Sequence, residues 1–134
     1  MKPILAAIAA LSVGQLSGQE LMTAEQLLNN ARNSDMATAV LLYVAGWRDG
    51  TSAQLLYTAA SLREAGGDIG QHADYEEALG RCLGGLQATD LIRQLQSLAS
   101  TGGISPQQSF ARTALLDAAV ELCRLAIPAA LTEN

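Results

Sequence analysis

Apolar residues along most of this chain recur at three- and four-residue spacing, and no stretch shows the strict alternation of a half-buried strand, so the pattern predicts helices alone. Thr23 followed by Gln26 reads as a capping box that opens a helix running to about Arg32. Ser34 or Asp35 caps a second helix from Met36 to about Arg48, with Ala39, Leu42, Tyr43 and Gly46 on one face. Asp49-Gly50 is expected to break or bend the chain. Ser52 then starts a third helix with Leu55, Leu56, Ala59 and Leu62 as its apolar stripe, ended by Gly66-Gly67 in a left-handed cap. From Gly66 to Glu77 the sequence GGDIGQHADYEE lacks helical periodicity and is expected to be the longest irregular connector. A short helix from about Asp74 carries Cys82 and stops near Gly84-Gly85. Thr89 or Asp90 opens the next, with Leu91, Ile92, Leu95, Leu98 and Ala99 at helical spacing and Thr101-Gly102-Gly103 closing it. In the last, Ser105 stands at the cap and Pro106 in the first helical position, and Phe110, Ala114, Leu115, Ala118, Ala119, Leu122 and Cys123 share one stripe. Pro128 ends that helix and the residues AALTEN after it are expected to fray. The expected fold is all-α, a compact bundle of about five helices stapled by one disulfide.

The amino-terminal segment breaks the amphipathic pattern. Lys2, the sole lysine, precedes an apolar run from Ile4 to Val13 with no polar position between Pro3 and Ser12, and small residues follow at Gly14, Ser17 and Gly18. A positive end, a short apolar core and small residues are the layout of a secretory signal peptide. The run is also well short of the ~20 residues needed to span a bilayer. Residues 1–18 are therefore expected to be a cleaved signal peptide, residues 19–134 a single helical domain, and the periplasm its location.

Removing that segment leaves seven arginines against thirteen acidic residues, a net charge near −6. Such a surface repels phosphate backbones and anionic headgroups, so neither nucleic acid nor a membrane is an expected partner. Cys82 and Cys123 are an even pair that an oxidising compartment would join. In a cytosolic protein they would be two buried free thiols. Neither lies in a Cys-x-x-Cys or at ligand spacing from a histidine, which argues against zinc and thiol redox chemistry.

Candidate catalytic groups are few. His72 is the only histidine, which excludes multi-histidine metal sites, and a Cys-His pair would need a free thiol. Asp74, Glu76 and Glu77 form an acidic group of the kind usually found in solvated segments. No glycine-rich phosphate loop follows a strand. The expectation is a binding protein and not an enzyme, with no metal and no cofactor.

From Thr23 to Gly50 the chain reads TAEQLLNNARNSDMATAVLLYVAGWRDG. Here it resembles the Rap/Tai family of periplasmic immunity proteins, which neutralise type VI secretion amidase effectors. That family has a Leu-Leu-x-x-Cys helix leading to an Asp and then a Cys-x-x-Tyr-x-x-Gly-x-x-Asp stretch; Leu27, Leu28, Asp35, Tyr43, Gly46 and Asp49 stand at those places. Ala31 and Val40 occupy the cysteine positions, while Cys82 and Cys123 resemble the family's second pair. From the residues themselves, Tyr43 is expected to pack, Gly46 to let another helix approach closely, and Asp49 to start a turn or cap a helix. The resemblance implies a noncovalent inhibitor of a peptidoglycan amidase effector, often a homodimer, with a protruding segment entering the effector's cleft. The expected protrusion is the Gly66–Glu77 connector, with Tyr75 as aromatic anchor and Asp68, Gln71, His72, Asp74 and Glu76 as polar contacts. Two other readings are a small periplasmic acid-stress chaperone and an envelope structural protein.

Overall fold

A computed structural model describes residues 22–127; the expected signal peptide at 1–18 and the expected frayed end at 129–134 lie outside the described residues. Within them the fold is all-α: α1 Ala24–Arg32, α2 Ala37–Ala65, a 3-10 turn Gly67–Gln71, α3 His72–Gly85, α4 Ala88–Thr101 and α5 Ala111–Leu122. The one extended pairing among them is a single antiparallel bridge between Thr23 and Phe110. One disulfide joins Cys82 to Cys123. The chain divides into two compact units, residues 22–46 with Gln87–Ala118, and Trp47–Leu86 with residues 119–127.

In the first unit the capping box forms as expected. Thr23 Oγ1 accepts from the Gln26 N–H at 3.1 Å and Gln26 Oε1 accepts from the Thr23 N–H at 2.9 Å. The next orphan donors of α1 go to another segment: the Ala24 N–H reaches the Ser109 carbonyl at 2.8 Å and the Glu25 N–H reaches that of Pro106 at 3.0 Å. Ala111 N–H in turn donates to the Met22 carbonyl at 2.8 Å. This exchange overturns the expectation of a helix from Pro106 onward. Ser105 and Pro106 start a turn, in which the Gln108 and Ser109 N–H groups both donate to the Ser105 carbonyl. The chain then straightens at Phe110, because α1 takes the carbonyls that a continuing helix would use, and α5 begins at Ala111. Phe110 is consequently 46% exposed and not part of the stripe. The unit buries Leu27, Leu28, Val40, Val44, Leu91, Leu95 and Leu115 among small alanines, and α1 packs on α4. Each fully buried leucine stabilises by roughly 1.5–3 kcal/mol over an exposed one. Gly102, at φ +80°, ends α4 where glycine was expected to.

The predicted break at Asp49-Gly50 does not occur: α2 is one helix of 29 residues. Glycine inside a helix costs about 1 kcal/mol relative to alanine, a penalty that side chains buried to either side outweigh, such as Val44 before it and Ala59 after it. Leu42 is 58% exposed, so the buried face of that stretch is Ala39, Val40 and Val44.

In the second unit Ser52 caps nothing. It lies within α2, where its Oγ donates to the Gly80 carbonyl of α3 at 2.7 Å. Close approach explains the buried Gly80, since a Cβ there would stand 3.1 Å from Leu55 Cβ and 3.2 Å from Leu56 Cδ2. Arg48 Nη1 donates to the Leu86 carbonyl at 3.0 Å, just past the end of α3. The disulfide, with its Cα atoms 5.9 Å apart, adds covalent closure between α3 and the turn after α5. Leu79, Cys123 and Ile127 form the apolar cluster beside it, with Leu55, Tyr75, Ala78, Cys82, Leu86 and Val120 packed around them. Leu122 is exposed, unlike its neighbour Cys123.

Candidate functional site

The connector expected between Gly66 and Glu77 is structured throughout. Gly66 and Gly67, at φ +70° and +62°, reverse the chain after α2 as their sequence predicts. One 3-10 turn then runs directly into α3, whose first residue is His72. The expected irregular loop is thus a tight corner, and α3 begins within the polar HADYEE stretch, where Ala73 is buried and Tyr75 packs on the apolar cluster.

Ion pairs fix that corner. Arg63, in the last turn of α2, donates through Nη2 to Asp74 Oδ1 at 3.0 Å and to Glu77 Oε2. Arg81 donates to Glu77 Oε1 at 2.9 Å from one turn further along α3. Hydrogen bonds from Arg81 and then Arg63 hold the Glu77 carboxyl below the usual carboxylate range, and those to Asp74 and Glu77 raise the Arg63 guanidinium. Exposed pairs of this kind contribute little singly, but here one guanidinium ties two carboxylates across the corner.

The proposed contact residues divide by role. Asp68, Gln71 and His72 are exposed, on the 3-10 turn and the start of α3. Asp74 is exposed too, and its carboxylate is held by Arg63. Glu76 is half-buried. Tyr75 lies half-buried against the Leu79–Cys123–Ile127 cluster, so its ring is packed and the projecting apolar side chain of the corner is Ile69, 54% exposed. Sequence reasoning passed over Ile69 because a lone isoleucine in a polar stretch reads as a packing residue. It placed Glu77 in a solvated acidic group and missed its ion pairs; the spacing of four from Arg81 was the available signal.

The motif residues fall elsewhere. Tyr43 is half-buried. Gly46 admits no neighbour: a Cβ there would meet nothing within 4 Å among the described residues, which overturns its expected role in close packing. Asp49 sits in mid-helix, neither turn nor cap, and accepts from Arg48 Nε at 2.9 Å. Cys82 and Cys123 are bonded, so neither offers a thiol to pair with His72. Among the described residues no group of three or more His, Cys, Asp or Glu is placed to hold a metal ion, and no helix is long and apolar enough to cross a membrane. No family model, no curated protein and no solved structure matches this chain.

Proposed function

We propose that this chain is a periplasmic immunity protein that binds a peptidoglycan amidase effector of type VI secretion and blocks its substrate groove without chemistry of its own. The observation that carries the reading is the corner between α2 and α3. Arg63 fastens both sides of it, and it presents Asp68, Ile69, Gln71 and His72 to solvent. A surface held in place before binding loses less entropy on association than a mobile loop does. Its chemistry suits a cleft containing a catalytic Cys-His pair: Asp68 or Gln71 binds the histidine by a hydrogen bond, charge-assisted for the carboxylate, while Ile69 fills an apolar recess. The resemblance at Leu27, Leu28, Asp35, Tyr43, Gly46 and Asp49, and the Cys82–Cys123 bond, support the same reading. A homodimer, as the resemblance implies, is part of this proposal.

The test mixes the protein with a type VI peptidoglycan amidase effector and follows hydrolysis of purified peptidoglycan. Inhibition at equimolar protein is expected. Full hydrolysis at a molar excess would reject the inhibitor reading. The acid-stress chaperone reading draws on the carboxylate clamp at Glu77, whose pairing weakens in acid; protection of an unrelated client near pH 3 with no effect on the amidase would select it.

A further inference from the structure

Leaving α5 at Leu122, the chain coils once upon itself. The Cys123 N–H donates to the Ala119 carbonyl at 2.8 Å, and the Ala126 and Ile127 N–H groups donate to the Cys123 carbonyl at 2.9 and 3.2 Å. Arg124 pairs with Glu121. Each of these bonds joins residues 123–127 to themselves or to the end of α5, and among the described residues none reaches α3. Among the described residues two things hold the segment on α3: the Cys82–Cys123 bond, and the burial of Cys123 and Ile127, next to Val120 of α5, beside Leu79 and Tyr75. Leu125 between them is fully exposed and contributes nothing.

We propose that residues 123–127 are a redox-latched strap, closed over the apolar face of α3 by the Cys82–Cys123 bond and opened by a dithiol reductant. Cys82 is half-buried and Cys123 fully buried, so an attacking thiolate reaches the Cys82 sulfur first. That attack forms a mixed disulfide on Cys82 and expels Cys123, whose sulfur takes a proton. The reductant's second thiol then closes on its own bound sulfur and releases Cys82. One dithiol becomes a cyclic disulfide, and the protein disulfide becomes two thiols. Apolar contact alone, from Ile127 and the Cys123 side chain, then remains to hold the strap, and the cover it gives Tyr75 and Leu79 is weakened. A chain still reduced keeps this face of α3 open, and oxidation closes it. The proposal stands apart from the inhibitor reading, and its test uses no partner protein.

Hydrogen exchange of the full chain, read by mass spectrometry with and without dithiothreitol, tests it. Peptides covering residues 72–83 and 119–127 should exchange about tenfold faster or more after reduction, while those covering 24–32 and 88–101 change by less than about twofold. Unchanged exchange at 72–83 and 119–127 would overturn the latch. Equal acceleration in every peptide would also overturn it, since the bond would then be a staple for the whole fold. Ile127→Ala with the disulfide intact should leave 72–83 protected; loss of protection there would show that the isoleucine, not the bond, is the latch.

Discussion

Replacing Gly84 with alanine should destabilise this protein, although alanine is the better helix former. Gly84 lies near the end of α3 at negative φ, so backbone preference alone favours the substitution by about 0.5–1 kcal/mol. An alanine Cβ, however, would stand 2.8 Å from Ser52 Oγ, closer than the two atoms can approach. The hydroxyl is the movable partner, and rotating it away breaks its 2.7 Å bond to the Gly80 carbonyl and leaves it unpaired in a buried place. Stranding a buried hydroxyl costs about 1–3 kcal/mol, so the net loss for Gly84→Ala is about 1 kcal/mol. Ser52→Ala removes the clash at its source. In that background Gly84→Ala should turn neutral or stabilising, a coupling of about 1–2 kcal/mol. Urea unfolding of the four chains, followed by far-UV circular dichroism, measures the cycle. An equal effect of Gly84→Ala in both backgrounds would refute the claim that Ser52 and α3 meet as described.

Thr23→Ala should cost about 1 kcal/mol by removing the cap of α1, visible as a lower urea midpoint; no change would mean that the Ser109 and Pro106 carbonyls alone secure that helix end. Glu77 gives a pH dependence whose sign follows from its lowered titration point. Its contribution is fully present above the ordinary carboxylate value of about 4.3 and is lost as pH falls through its lower folded value, so wild type should lose more stability than Glu77→Gln between about pH 5 and pH 3. Parallel pH profiles would place no stabilising pair at that position, and added salt should shrink the difference.

Much of the fold is legible in local signals. The Thr23–Gln26 box, the left-handed glycines at 66, 67 and 102, and the leucine spacing in α4 each act within a few residues, and each forms as the sequence predicts. Errors cluster where a distant partner decides. Ser105-Pro106 is a sound helix start, but its helix yields after one turn because α1 uses the carbonyls of Pro106 and Ser109. Asp49-Gly50 is a sound breaker that packing of the flanking residues carries through. Ser52 looks like a cap and instead bonds to Gly80, twenty-eight positions away. The corner was legible in its residues, Asp68, Gln71, His72 and Asp74, but not in its order. Arg63 pairs with Asp74 and Glu77 eleven and fourteen positions away, and although the Gly66-Gly67 reversal is legible, which side chains it brings together is not.

The most direct test is the affinity of this protein for a type VI peptidoglycan amidase effector, the partner proposed above, measured by calorimetry with wild type and with an Asp68→Ala, Ile69→Ala, His72→Ala triple variant. All three side chains are exposed, so the variant should keep the circular dichroism and urea midpoint of wild type. It should bind about a hundredfold or more weakly, the loss typical when central interface residues are truncated. Unchanged affinity in a folded variant would contradict the account.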